Sequence, residues 1–172
     1  MLNKGKGIEM SIIIKEMETE EEIREKGLVD CKAAREAYSG LLSQEYLDTV
    51  ETPEKCIEKA FKLKDNMLVA KDGDRVIGFT GYGKCRYDDI VKAGEVFSLY
   101  ILKDYYGKRI GFELMNAAVD KLRDYDRIVV RVLEGNERAI RFYERYGFRF
   151  DGVKETVVLG TEKTVLRMVV EK

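Results

Sequence analysis

Apolar residues along this chain keep two periods. In some stretches they alternate or run together, which fits strands. In others they recur every three to four positions, which fits helices with one buried face. Ile12-Ile13-Ile14 marks a first strand over 11–15. Thr19, with Glu22 three residues on, has the form of a capping box. The helix it opens, from about Glu20, turns Ile23, Leu28, Cys31 and Ala34 inward and breaks near Gly40. A short helix follows around Glu45-Tyr46-Leu47. A third starts at Thr52-Pro53, with proline where no amide donor is needed, and runs to about Lys64.

From Asn66 the period shortens. Strands are predicted at 67–71 and 75–85, joined by the hairpin signal Asp72-Gly73. Gly78, Gly81 and Gly83 in the second suggest bulges or close backbone contact. A surface loop follows from Tyr87. Residues 96–102 suit a buried strand, and Gly111, Leu114, Met115, Ala118, Val119 and Leu122 then fall on one helical stripe. Another strand is expected at 128–132, then a helix capped by Asn136 and ended by Gly147. Strands at 148–153 and 164–170 close the sheet. The fold class is α/β, a mixed, mostly antiparallel sheet of six or seven strands with about four helices. Residues 1–9 are a polar, glycine-bearing lead-in, with Met10 as an alternative start, ahead of one domain over 10–172.

The unit at 95–124 organises the rest: strand, glycine-bearing loop, helix. A helix N-terminus offers unpaired N–H groups and the positive end of a dipole. Glycines let a ligand approach the main chain. Gly107 and Gly111, with Lys108 and Arg109 between them and Lys103 upstream, therefore make a candidate phosphate site. An ordinary strand-to-helix turn is the competing reading. The spacing fits neither the phosphate loop of nucleotide hydrolases nor the dinucleotide fingerprint.

Composition narrows the chemistry. The chain has 172 residues and no histidine, which removes Ser-His and Cys-His nucleophile pairs and the commonest metal ligand. Its three cysteines, Cys31, Cys56 and Cys85, form no Cys-x-x-Cys pair, so no metal site is expected, and reduced thiols in a cytoplasm are the simplest reading. Lysine plus arginine, 31, nearly balances aspartate plus glutamate, 32, giving no case for nucleic acid or membrane surface. No stretch reaches signal-peptide or membrane-span length.

The residues Tyr106-Gly107-Lys108-Arg109-Ile110-Gly111 and, downstream, Asn136, Ala139, Phe142-Tyr143-Glu144 and Gly147-Phe148 resemble the two motifs of the GNAT superfamily, the acetyl-CoA-dependent N-acetyltransferases. The likeness covers roughly 75–170. Tyr106 stands where the family carries glutamine or arginine, and Arg109 where it carries glycine. Arg109 can still offer its N–H if its φ is negative, as in a first helical turn.

The resemblance implies that strands 95–102 and 127–133 splay apart around coenzyme A. Leu99, Tyr100 and Ile101 would meet the pantetheine arm, the 106–112 loop including Phe112 would hold the pyrophosphate, and Asn136 would contact the arm through its amide. Tyr143 is the candidate acid for the leaving thiolate and Glu95 the candidate base, direct or through water. The acceptor would lie between the 38–47 helix break and the 84–94 loop. Tyr38, Tyr87, Asp88 and Asp89 are its expected contacts, a set that suits a cationic amine. The stretch Ala37-Tyr38 to Tyr46-Leu47-Asp48 resembles the polyamine (spermidine/spermine) branch. The expected activity is acetyl transfer from acetyl-CoA, as co-substrate and without metal, to a small amine through a ternary complex. A protein N-terminal or lysine acetyltransferase, and a non-catalytic acyl-CoA sensor module, remain alternatives. A homodimer stays open.

Overall fold

The computed structural model describes residues 11–172; the expected lead-in and the alternative start at Met10 lie outside them. In chain order come β1 (Ile12–Glu16), α1 (Glu20–Tyr38), α2 (Gln44–Val50), α3 (Pro53–Lys62), β2 (Met67–Asp72), β3 (Arg75–Lys84), β4 (Ala93–Ile101), a 3-10 turn (Lys103–Tyr105), α4 (Ile110–Lys121), β5 (Arg127–Leu133), α5 (Glu137–Tyr146), β6 (Arg149–Leu159) and β7 (Thr161–Glu171). The seven strands form one sheet in the order β1-β2-β3-β4-β5-β7-β6. Every neighbouring pair is antiparallel except β4 and β5.

Local chemistry sets the element ends. Thr19 and Glu22 close both halves of the capping box, and Glu22 also accepts from Lys15 and Lys71. Burial pushes the Glu22 carboxyl up, but the backbone N–H of Glu18, the two lysines and the Thr19 N–H outweigh it and hold it at about 2. Ser43 and Thr52 cap α2 and α3. At Gly27 a Cβ would sit 2.7 Å from Ile57 Cα, so only glycine lets α1 and α3 pack this closely.

The apolar stripe of α4, Leu114, Met115, Ala118 and Leu122, packs on one sheet face against Leu68, Ile77, Val96, Ile128 and Val130. A second cluster, Val29, Val69, Val76, Phe79 and Leu102, joins α1 to the opposite face.

The closing hairpin is longer than its apolar pattern suggests. β6 and β7 run to a tight turn at Gly160 (φ +76°), taking in 154–163, which the sequence leaves outside strands. The inward positions there are Glu155, Val157 and Leu159; Glu155 pairs with Arg131, and Val157 and Leu159 pack with Leu42, Leu47, Leu133 and Val165. A charged residue on the inner face hides the alternation.

The site-forming feature lies at β4 and β5. Their pairing covers only Ala93↔Arg127 to Val96↔Val130. Past Val96 the strands part, as expected from the resemblance. The cause is visible in the neighbouring ladder, where Gly81 faces Ser98 but Tyr82 faces Val96, leaving Phe97 as an extra residue in β4. Such a bulge bends and twists its strand. Thr80 Oγ1 donates to the Ser98 carbonyl, 2.8 Å, and the Gly81 N–H donates to Ser98 Oγ, 3.1 Å, which fix the bend.

Candidate active site

The parted strands open into a cavity of about 1050 Å³, more than a small amine alone would need. Its walls come from the C-terminal end of α1, from β4 past the bulge, from the 103–112 loop and first turn of α4, from the end of β5, and from α5.

At the α4 end the main chain is shaped for an anion. Gly107 has φ +76° and Arg109 has φ +64°, and Ile110 begins the helix. Left-handed residues beside right-handed ones turn successive N–H groups to one side, forming a nest. Among the described residues no acceptor takes the amides of Gly107, Arg109, Ile110 or Gly111. The positive φ of Arg109 overturns the expectation of a first-turn, negative φ: this arginine holds the left-handed backbone that a glycine would hold without strain. At Gly111 a Cβ would meet Ile101 Cδ1 at 3.0 Å, so the lack of a side chain keeps this wall open.

Charge divides the cavity. Six cations line it, Arg35, Lys103, Arg109, Arg131, Arg138 and Arg145, against one carboxylate, Glu36. Arg35 is taken by Asp48 and by the Leu47 carbonyl, 2.9 Å, and Arg131 by Glu155, 2.9 Å. Among the described residues Lys103, Arg109, Arg138 and Arg145 have no carboxylate partner. All four belong to the 103–112 loop or to α5. The guanidinium of Arg138 lies 3.1 Å from the centre of the Tyr106 ring and that of Arg109 5.5 Å from Phe112. Tyr106 thus orients a cation where the family carries a glutamine or arginine.

Tyr143 stands where α5 faces the cavity, edge-on to Phe142 and Phe148 at 5.5 and 5.7 Å. Among the described residues its hydroxyl has no hydrogen-bond partner, although the residue is 8% exposed. Burial, and secondarily the Tyr38 phenol, raise its pKa well above the ordinary tyrosine value, so it stays protonated at neutral pH. Tyr38 Oη and Tyr100 Oη lie 2.8 Å apart, and the Tyr100 ring lies tilted against Phe79, 5.6 Å between centres. Burial raises both phenols too. Asn136 Oδ1 accepts from the Ala139 N–H, 3.2 Å, so the oxygen serves as the α5 cap and the amide nitrogen is the uncommitted part.

Of the residues expected at the site, Tyr38, Leu99, Tyr100, Ile101, Tyr106, Gly107, Arg109, Ile110, Gly111, Phe112, Asn136 and Tyr143 line this cavity. Lys108, Glu95, Tyr87, Asp88 and Asp89 do not. Lys108 sits over the Tyr105 ring at 4.8 Å. Glu95 is wholly buried, with Oε1 2.8 Å from Arg86 Nη2 and Oε2 accepting from Arg86 Nε, 3.0 Å, and from the Arg86 N–H, 3.1 Å. Asp89 pairs with Arg167, 2.7 Å, which also holds Asp151 and covers the Tyr87 ring. Burial and the neighbouring Glu155 push the Tyr87 phenol up to about 12. The 84–94 loop is thus tied to β6 and β7 rather than to the cavity wall. Asp88 is exposed. Glu36 and Arg131, lining residues outside the motifs, come from elements whose facing only the tertiary fold sets, and Arg138 lies within the second motif but is not one of its marked positions.

Parted strands, a helix start with unclaimed amides and an unbonded tyrosine hydroxyl thus meet in one cavity. The model of the acetyltransferase (GNAT) family matches residues 32–148, and the chain belongs to that family; it is an acetyl-CoA-dependent N-acetyltransferase. The chain is similar to the probable spermine N(1)-acetyltransferase of Bacillus subtilis subsp. natto, 34% identical over 119 residues, which are 64% of this chain and 78% of that one. Its likeness to the spermine/spermidine N(1)-acetyltransferase of Bacillus subtilis strain 168 is 33% over the same spans. The PaiA N-acetyltransferase of Thermoplasma acidophilum, solved in complex with coenzyme A, has the same fold, with a TM-score of 0.71, 21% identity, and coverage of 95% of this chain and 100% of that one. Among the described residues no helix is long and apolar enough to cross a membrane.

Proposed function

We propose that this enzyme moves the acetyl group of acetyl-CoA onto a primary amine of a small polycation such as a polyamine, by direct attack in a ternary complex. The observation that carries it is the charge division of one cavity. Four unpaired cations and the 107–111 amides suit the phosphates of coenzyme A, and a lone carboxylate stands with the α1 residues. The names of the two Bacillus relatives support the acceptor class.

The residues have separable work. The amides of Gly107, Arg109, Ile110 and Gly111, with Lys103, Arg138 and Arg145, bind phosphate charge. Leu99 to Ile101, on the side of β4 left without a β5 partner, present main-chain groups to the pantetheine arm. Tyr143 donates its hydroxyl hydrogen to the departing sulfur. Ordinary values of roughly 10 for a phenol and roughly 8.5 for a thiol make full proton transfer uphill by about 2 kcal/mol. The raised pKa enlarges that gap, so Tyr143 acts first as a hydrogen-bond donor to the building thiolate charge. The amine must reach the site deprotonated. Glu95 can assist through water; direct contact would require its Arg86 pair to open.

A panel of spermidine, 1,4-diaminobutane, lysine-bearing peptides and peptide N-termini, with thiol release from acetyl-CoA as readout, tests the acceptor class. Diamines and polyamines are expected to give the highest kcat/KM, with KM rising as salt is added. Turnover of neutral peptide N-termini alone would remove the polyamine acceptor and leave the family assignment standing.

A further inference from the structure

Glu36 is the one acidic residue on the cavity wall, and nothing in the chain's motifs marks it. It lies two residues before Tyr38 in the last turn of α1. Its Oε2 is buried and has no hydrogen-bond partner among the described residues, and neither of its oxygens forms an ion pair with a described cation. A buried carboxylate oxygen left unsatisfied costs free energy that a ligand donor would recover. The nearest cation along the chain, Arg35, is turned away to Asp48, the α2 carbonyl of Leu47 and the carbonyl of Glu51 just past the helix end. Arg131 on the facing strand is held by Glu155. The carboxylates once expected to meet the acceptor are already paired or off the wall: Glu95 with Arg86, Asp89 with Arg167.

We propose that Glu36 is the anchor for the second ammonium group of the acceptor and so sets the preference for multiply charged amines; this rests on the proposed acetyl transfer to small polycations. The attacking nitrogen must be neutral, so it has no use for a carboxylate as a counter-ion. A second nitrogen on the same acceptor stays protonated at neutral pH, near the lysine value of roughly 10.4. The Tyr38 and Tyr100 hydroxyls, hydrogen-bonded to each other, form the wall nearby on α1 and β4. Glu36 therefore acts on binding, through a charge-assisted hydrogen bond, and Tyr143 acts on the chemical step.

The test compares butylamine with 1,4-diaminobutane and spermidine as acceptors in wild type and Glu36→Gln. The substitution keeps size and removes only charge. For spermidine and 1,4-diaminobutane KM is expected to rise roughly 10-fold or more, the loss expected for a hydrogen bond to a charged group. kcat, coenzyme A affinity and thermal midpoint should hold, and the butylamine constants should move much less. Glu36→Lys should then turn the preference from 1,4-diaminobutane towards 4-aminobutyrate. An unchanged diamine KM in Glu36→Gln, or an equal change for butylamine, would overturn the anchor role while leaving the polyamine reading intact. A wild-type protein that, with coenzyme A bound, neither binds spermidine by calorimetry nor acetylates it would overturn both.

Discussion

The two ends of the cavity are built on different principles. At the α4 end the proposed recognition groups are main-chain amides, set by the local backbone of Gly107, Arg109 and the helix start. At the α1 end they are side chains, Glu36, Tyr38 and Tyr100, brought together from a helix and a strand 62 positions apart. A backbone site depends on a short sequence and tolerates varied side chains around it. A side-chain site depends on packing and can change with one residue. On the proposed reading the first kind serves the common co-substrate and the second the variable acceptor, an arrangement that would let a family keep one chemistry and exchange its acceptors.

If the ends are separable, a change at the junction should alter kcat, a change at the α4 end coenzyme A affinity, and a change at the α1 end acceptor KM. The largest effect is expected at the junction. Tyr143→Phe keeps the edge-on contacts with Phe142 and Phe148 and deletes only the hydroxyl. kcat should fall by about 10²-fold or more with little change in folding or coenzyme A binding. Near-normal kcat would leave Tyr143 as a packing residue. The pH profile adds a sign. The acid is needed in its protonated form, and burial raises its pKa. Activity should therefore rise with pH as the amine deprotonates and should not fall again below about pH 10 on account of this group. A descending limb near pH 8 would point to another acid.

Next in size is Gly111→Pro. It removes one amide of the nest, restricts Ile110, and adds atoms where a Cβ already meets Ile101 at 3.0 Å. Coenzyme A affinity by calorimetry should drop roughly 10-fold or more, the range for a lost bond to a charged group. Lys108→Ala should cost less, because its charge lies off the cavity lining and is screened. Unaltered binding in a folded Gly111→Pro protein would break the assignment of the α4 end as the phosphate site.

The same contrast explains what the sequence disclosed. Gly107, Gly111, Asn136 and Tyr143 lie within two short segments, so the resemblance of local motifs to the family picks them out. The splay of β4 from β5 depends on the Phe97 bulge, which composition does not announce. Acidic residues in the 84–94 loop look free in sequence, but Arg167, 78 positions from Asp89, claims that loop. Glu36 carries no signal because one glutamate near a helix end looks like any solvated face. The extended β6–β7 hairpin was hidden for a related reason: Glu155 sits inward to meet Arg131 and breaks the apolar alternation.

The smallest expected effect is at Arg109, where strain and charge oppose each other within the α4 end. A left-handed backbone costs a residue with a Cβ roughly 1–2 kcal/mol. Glycine removes that cost but adds freedom to the unfolded chain worth roughly 0.4–1 kcal/mol. Arg109→Gly should therefore stabilise the fold by about 1 kcal/mol or less, a rise in thermal midpoint of roughly 2–4 °C at most for a chain this long. It also removes one of the four unpaired cations, so coenzyme A affinity should fall a few-fold and lose part of its salt dependence. Arg109→Ala separates the two terms. It deletes the cation and keeps the strain, so it should match the affinity loss without the gain in midpoint. A lower midpoint in Arg109→Gly would mean that the guanidinium contact with Phe112, 5.5 Å to the ring centre, outweighs the strain, and that this arginine holds the loop together rather than only charging it.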